Sequence, residues 1–151
     1  MFLHGDTRLP FNYLDGIREC LGEDGVIAGA FSLAFDRITP SLRLIEWGAN
    51  RRSRRGQLPY GDQALFLRKD TFDAMGGFQE LPVMEDYEFV LRLRRRGRIA
   101  IAPAAVVTSA RRWEAHGAWR TTLTHQAMLL GWRLGVSPER LAQWRRRGLS
   151  C

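Results

Sequence analysis

The chain has little cysteine and no long apolar segment. Its two cysteines, Cys20 and Cys151, are far apart and form no CxxC or Cys/His spacing, so neither a disulfide framework nor a structural zinc site is expected. No window reaches the roughly 18 consecutive apolar residues that a membrane-spanning helix needs. Asp6 and Arg8 interrupt the start that a signal peptide would require. These absences favour a cytoplasmic protein, and 151 residues suffice for one domain.

Lysine is almost absent as well, although the chain is basic. Lys69 is the only lysine, and the net charge of +7 comes from arginines concentrated in residues 51–55, 92–98 and 145–147. Such a surface attracts nucleic acid, anionic lipid or a phosphorylated small substrate, although each run alone is also typical of a solvated helix face. One functional hypothesis is therefore a non-catalytic basic module for nucleic acid or an anionic membrane surface, the latter implying peripheral association at the inner face of the membrane.

Hydrophobic periodicity predicts alternating strands and helices, which is typical of the α/β or α+β class. The start of the chain predicts a buried strand over Phe2 and Leu3 that ends at Asp6. Alternation predicts a second strand over residues 26–36, and helical spacing predicts helices over 11–22 and 81–97. A helix over residues 41–50 is expected to run into a basic loop. Asp70 is expected to cap a short helix, and two short strands are expected on either side of Pro103.

Two motifs are rich in acidic groups. In "HGDT" a carboxylate, Asp6, follows the predicted strand, where open α/β sheets bind ligands. His4 lies on the same side of an extended strand, and such a pair could hold Mg²⁺ or Mn²⁺ beside substrate phosphates. In "MEDYE", Glu85 and Asp86 point in different directions at a helix start, where one could act as a general base. A turn cap and first-turn acids that compensate the helix dipole are the alternative explanations.

Two further motifs carry groups that suit sugar and phosphate binding. In "SARRWEAHG", Arg111 and Arg112 could bind a diphosphate through charged hydrogen bonds while Trp113 packs against a sugar or base. In "LPYGDQ", Asp62 and Gln63 could hydrogen-bond a polyol. A surface arginine pair and an ordinary turn are the alternatives for these two motifs.

The order of the motifs is more specific than any one of them. "HGDT", "LPYGDQALFLRKDTFDAMGGF", "LPVMEDYEFVLRLRRRGRIAIAP" and "VVTSARRWEAHG" follow one another as in the second half of family 2 glycosyltransferases, which have the GT-A fold and use nucleotide-sugar donors. The chain resembles most closely a small bacterial subgroup whose sequences end in a phrase like "LGVSPERLA". The resemblance extends from Phe2 to about Trp144.

The resemblance implies a role for each motif. Asp6 matches the second acid of a DxD metal motif whose first acid is replaced by His4, which implies a divalent cation, Mn²⁺ or Mg²⁺. Asp86 matches the catalytic base and Glu85 its usual neighbour. The residues 111–113 stand where many members have QxxRW, without the glutamine, and Asp62 and Gln63 fall in a loop near the acceptor. An inverting transfer from a nucleotide-sugar to an unknown acceptor hydroxyl is therefore expected.

The resemblance also implies a domain organisation. Residues 1–112 correspond to a partial GT-A domain, Rossmann-like, with the metal-binding and acceptor half, and residues 113–151 to an amphipathic helical extension of the same domain. The nucleotide-binding half that precedes the first motif in the family is expected to be missing. An uncovered sheet edge is then expected to promote self-association, or pairing with another chain that leaves this one non-catalytic.

Overall fold

The computed structural model describes residues 1–149, so Cys151 lies outside the described residues. The order of elements is β1 (Thr7–Arg8), α1 (Tyr13–Gly22), β2 (Val26–Phe35), α2 (Pro40–Gly56), a 3₁₀ turn (Gly61–Gln63), β3 (Phe66–Leu67), α3 (Lys69–Ala74), α4 (Glu85–Arg94), β4 (Arg98–Thr108), α5 (Arg111–His116), α6 (Ala118–Arg133) and α7 (Pro138–Leu149). This order confirms the α/β class. Within residues 1–149 no helix has both the length and the apolarity to cross a membrane.

The sheet is open and mixed, with the strand order β1-β4-β2-β3. The two long strands, β2 and β4, pair in parallel at its centre, and the two-residue strands β1 and β3 pair antiparallel on either side. Helix α1 covers one part of the sheet, where Cys20 packs with Phe31, Phe66 and Ala102. Helix α2 covers another part, where Leu42 and Ala49 pack with Leu33 and Phe35. Most of β2 is therefore buried on both faces.

The predicted strand at the start of the chain is wrong. Phe2 and Leu3 form no strand, and β1 begins only after Asp6. The Phe2 ring packs instead against Phe72 and Phe78, at centroid distances of 5.1 and 4.7 Å. The apolar start of the sequence therefore reflects an aromatic cluster, for which two adjacent apolar residues are as suitable as for a strand.

The two strands predicted around Pro103 are one continuous strand, β4. Its register against β2 changes from Phe31↔Ala102 to Ser32↔Ala105, so Pro103 and Ala104 form a bulge. A bulge tolerates proline because the residue that lacks an N–H leaves the ladder there.

Three expected helices have wrong boundaries. The helix expected over residues 81–97 spans only Glu85–Arg94, since Met84, with its left-handed φ, precedes its first turn. The expected basic loop is helical, since α2 continues through the arginine run to Gly56, and Gln57 ends it with a left-handed φ of 50°. Basic side chains in a last turn stabilise a helix through its dipole. Helix α3 begins at Lys69, so Asp70 is not its cap but lies in its first turn, where its carboxylate accepts the Thr71 N–H.

Side chains cover the outer edge of β2 beyond the short β3. Asn50 binds Leu33 twice, with its Oδ1 2.7 Å from Leu33 N and its Nδ2 2.9 Å from Leu33 O. The Glu46 carboxylate accepts the Phe35 N–H at 2.6 Å, and Gln63 Nε2 donates to Phe31 O at 2.9 Å. The backbone groups of Phe31, Leu33 and Phe35 on this edge are therefore satisfied by side chains of the same chain.

Candidate active site

Seven of the nine residues expected at a site line one cavity of about 190 Å³, at the carboxyl end of β4 and the start of α4. They come from four separate segments and are His4, Asp6, Asp62, Glu85, Asp86, Arg112 and Trp113. We call this cavity the acidic cleft. The pairing of β1 with β4 places Asp6 there, since Thr7 Oγ1 lies 2.9 Å from Thr108 Oγ1 and Ser109 N donates to Asp6 O.

The Asp86 carboxylate is held by two backbone donors. Its Oδ2 accepts the Gly61 N–H at 2.7 Å and its Oδ1 accepts the Tyr87 N–H at 2.7 Å. Met84, the residue before α4, has a left-handed φ of 68°, which is uncommon for a non-glycine residue and is found at functional sites more often than elsewhere. The start of α4 therefore fixes the direction of Asp86 while each oxygen keeps a second lone pair.

Gly61 allows the acidic cleft to close around Asp86. A Cβ at this position would lie 2.8 Å from His4 Nε2 and 2.9 Å from Asp86 Oδ2. A side chain there would push the imidazole or the carboxylate out of its present position, so glycine at this position allows both groups to lie against the turn.

Half-buried ionisable groups lie beneath the cleft. The Arg52 guanidinium stacks 3.5 Å from the Tyr60 ring centroid and donates to Leu58 O at 3.0 Å. Burial lowers the pKa of Arg52 and raises the pKa of Tyr60 to about 12. Burial also raises the pKa of Asp62, against the attraction of the Arg52 cation. In the part of the chain that the structure describes, Asp62 Oδ1 is buried without a hydrogen-bond partner.

The two expected residues outside the cleft have other surroundings. Gln63 is fully buried, and its Oε1 accepts the Ser53 hydroxyl at 2.7 Å, so its role is to join α2 to β2. Arg111 is exposed at the first turn of α5 and does not line the cleft. Its neighbour Trp113 packs 4.7 Å from the Phe35 ring and 6.1 Å from the His125 ring.

The cleft also contains residues that the sequence analysis did not single out, among them Tyr60, Tyr87, His125 and Arg145. Burial, followed by the nearby Arg112 and Arg145 cations, lowers the pKa of His125 to about 4, so the imidazole is neutral at pH 7. A single histidine on an apolar helix carries no signal that separates a ligand-facing residue from a core residue. Arg145 belongs to a run for which both an anion-binding surface and a solvated helix face were open.

The metal prediction rests on two side chains. His4 and Asp6 both line the rim of the cleft and supply an imidazole and a carboxylate, donors that suit Mn²⁺ when phosphate oxygens complete its coordination. Among residues 1–149, no three His, Cys, Asp or Glu side chains form a cluster that could hold a metal ion by themselves. His4 and Asp6 fit a cation that arrives with a diphosphate, in which most ligands belong to the substrate.

The arginine runs lie at different ends of the sheet. Helix α2 ends beside the start of β4, where Gln57 Oε1 accepts the Ile99 N–H at 2.9 Å, and α4 ends just before β4. The end of α2 near Gly56 and residues 92–98 therefore lie at the end of the sheet opposite the cleft. Arg52 is the exception in the first run, since its side chain reaches Tyr60 beneath the cleft, and Arg145 lines the cleft itself. Some of these arginines are structural: Arg92 binds Glu88 at 2.8 Å and donates to Met75 O and Gly77 O.

Comparison with protein-family models, with curated proteins and with solved structures finds no match to this chain.

Proposed function

We propose that the chain carries the catalytic cleft of an inverting glycosyltransferase that transfers a sugar from a nucleotide-sugar to an acceptor hydroxyl. The observation that supports this proposal is the composition of the acidic cleft. Carboxylates, two arginines and a tryptophan from separate segments line one cavity of about 190 Å³. The order of the motifs, which resembles that of family 2 glycosyltransferases with the GT-A fold, gives the reaction class.

Asp86 is the proposed base. The acceptor oxygen forms a bond to the anomeric carbon as the bond from that carbon to the diphosphate oxygen breaks, and Asp86 takes the acceptor's proton. One base suffices for such a single displacement, which inverts the anomeric centre. The two backbone donors that hold Asp86 supply the orientation that the proton transfer needs.

Arg112 and Arg145 are the proposed partners of the leaving diphosphate. Both line the cleft, and guanidinium groups bind phosphate oxygens through paired, charge-assisted hydrogen bonds. Negative charge grows on the diphosphate as the sugar departs, so cations placed there stabilise the transition state more than the ground state. A divalent cation held by His4 and Asp6 would supply additional charge neutralisation of the same kind.

Calorimetry with Mn²⁺ and a series of uridine and guanosine diphosphates measures whether the chain binds a metal–nucleotide complex and whether Asp6 takes part. Asp6→Ala is expected to weaken this binding at least tenfold, because one of two protein ligands is lost. Asp24→Ala, an exposed acid in the turn before β2, is the matched control and should bind like the unchanged protein. Equal affinities for all three proteins would remove Asp6 from the site, and no binding by any of them would contradict the proposed function.

The hypothesis of a basic binding module keeps one supporting observation. The exposed arginines at the end of the sheet opposite the cleft include Arg51, Arg55, Arg95 and Arg96. A module of this kind would bind DNA or anionic vesicles with steep salt dependence and would not respond to Mn²⁺ with a nucleoside diphosphate.

A further inference from the structure

A second and larger cavity, of about 780 Å³, lies between helices α2 and α6. Residues at helical spacing line it from both sides, on one face of each helix: Leu44, Ile45, Gly48, Ala49 and Arg52 on α2, and Trp119, Thr122, Gln126, Leu130 and Arg133 on α6. We call this cavity the α2–α6 groove. Its size falls in the range of small-molecule sites.

The lining of the groove is mostly apolar and partly open to solvent. Leu33, Ile45, Ala49 and Leu129 line it together with three tryptophans, Trp47, Trp113 and Trp119. At its rim Trp47 is 61% exposed, Trp119 56% and Leu130 59%. Large apolar side chains are rarely left exposed around a cavity of this size unless something covers them.

The groove shares a wall with the acidic cleft. Tyr60, Asp62, Trp113, His125 and Leu129 line both cavities. Two of them hold unsatisfied polar atoms, since, within the described chain, Asp62 Oδ1 and Trp113 Nε1 are buried and lack hydrogen-bond partners. Each could pair with a hydroxyl group, because a hydroxyl both donates to a carboxylate oxygen and accepts from an indole N–H. A buried polar atom without a partner is costly, so each favours a ligand that supplies one.

We propose that the α2–α6 groove binds the apolar body of the acceptor, and that the acceptor's terminal hydroxyl reaches the shared wall beside Asp62 and Trp113. The acceptor class is thus an amphiphile: an apolar chain or ring system that ends in a hydroxyl. That this ligand is a glycosyl acceptor rests on the proposed function. The groove and the class of ligand it suits follow from the lining residues themselves. Asp86 lines the cleft beyond this wall, so the hydroxyl bound beside Asp62 would have to leave Asp62 and enter the cleft before Asp86 takes its proton.

An experiment with 11-bromo-1-undecanol tests the groove without any transfer reaction. Bromine quenches tryptophan fluorescence at short range, and three tryptophans line the groove. Gly48→Leu fills the groove, because a Cβ at Gly48 meets no atom within 4 Å and leucine favours a helix interior over glycine. Gly22→Leu, the same change in open space at the end of α1, is the matched control. Thermal melts verify that both variants fold.

The expected result is saturable quenching in the unchanged protein and in Gly22→Leu, and at least tenfold weaker binding in Gly48→Leu. Equal binding in all three proteins would mean adsorption on the exposed apolar surface and would overturn the proposal. The methyl ether of the same alcohol should bind about tenfold more weakly, since it leaves Asp62 Oδ1 without a donor. An ether that binds as tightly as the alcohol would overturn the position of the hydroxyl.

The same proteins separate this inference from the proposed function. If the protein binds the nucleoside diphosphate but not the alkanol, the proposed ligand site in the groove is overturned and the proposed function of the cleft stands. Alkanol binding without nucleoside diphosphate binding leaves an apolar-ligand site and overturns its description as an acceptor site. Sedimentation at several concentrations tests whether a second copy of the chain occupies the groove instead. Self-association of the unchanged protein that Gly48→Leu abolishes would overturn a small amphiphile as the ligand.

Discussion

Asp86 is the residue on which the proposed chemistry depends most. Asp86→Asn removes the proton acceptor and keeps nearly the same shape, and its one oxygen can still accept one of the two backbone N–H groups. We expect transfer from a nucleotide-sugar to fall by about 10²- to 10⁴-fold, the usual contribution of general-base catalysis. Binding of the metal and nucleoside diphosphate should change by less than a few-fold, because a base and not a ligand has been removed.

The matched control for this change is Asp70→Asn. Asp70 is also an acid in the first turn of a helix and also accepts the N–H of the next residue, but it is exposed and lies outside both cavities. Its variant should keep full activity. Transfer by Asp86→Asn within a few-fold of the control would exclude Asp86 as the base.

His125 makes the stability of the folded protein depend on pH. Its pKa is lowered to about 4, chiefly by burial, whereas an unfolded histidine titrates near 6.5. Between these values the unfolded state binds more protons than the folded state, so the free energy of unfolding falls as the pH falls from 6.5 to 4 and is unaffected above 6.5. The full difference is about 3 kcal/mol. Denaturant melts of His125→Gln should lack this part of the acid destabilisation.

His116→Gln is the corresponding control, since His116 lies on α5 and lines neither cavity. Its melts should follow those of the unchanged protein between pH 4 and 7. If His125→Gln and the unchanged protein lose stability in parallel over that range, the imidazole is not buried in the way described.

The residues of the cleft were predictable where a motif carried a charged group at the end of an element. Asp6, Asp86 and Arg112 are of that kind. Gln63 lies outside the cleft because its amide satisfies backbone and side-chain groups in the core, and a glutamine in a turn has the same sequence signal for either position. His125 was missed because its position depends on how α6 packs, which is a tertiary property.

At the scale of elements, the capping of β2 by α2 has a measurable consequence. Asn50 bonds both the N–H and the C=O of Leu33. Asn50→Leu keeps the size of the side chain but leaves both backbone groups without partners, so the unfolding free energy should fall by about 1–3 kcal/mol for each group that water cannot reach. Chemical denaturation measures this change, and sedimentation should show more self-association, since an unpaired edge recruits other chains.

Asn12→Leu is a control for the added apolar surface. Asn12 precedes α1, and its side chain makes no capping bond to that helix. Its variant should lose little stability and should sediment like the unchanged protein. An Asn50→Leu protein as stable and as monomeric as this control would mean that the edge needs no cap.

The elements themselves were predictable to the extent that local periodicity decides them. Strand β2 and helices α1 and α4 follow from spacing alone. Strand β4 does not, because Pro103 is tolerated only through a bulge whose existence depends on the partner strand. The end of α2 was placed too early because an arginine run is equally compatible with a loop. One face of the run is anchored to the rest of the fold, since Arg52 donates to Leu58 O and Ser53 to Gln63 Oε1.

At the scale of the whole molecule, exposed arginines lie at both ends of the sheet. Variants at the two ends can therefore distinguish binding in the cleft from attraction by the net charge. Arg112 lines the cleft, whereas Arg95 is exposed at the opposite end. Replacing either by glutamine lowers the net charge of +7 by one. If a diphosphate binds in the cleft, Arg112→Gln should weaken nucleoside diphosphate binding about tenfold or more through loss of a charge-assisted hydrogen bond, and Arg95→Gln less than twofold.

The same pair of variants gives the opposite order for a basic module. DNA or anionic vesicles that bind the far end of the sheet would lose affinity with Arg95→Gln, and the salt dependence of their binding would decrease by about one counterion, while Arg112→Gln would have little effect. Calorimetry with the nucleoside diphosphate and a salt titration with duplex DNA therefore distinguish the two functions with one set of proteins. A nucleoside diphosphate affinity that falls equally in both variants would mean that net charge alone attracts the ligand, and the acidic cleft would not be its site.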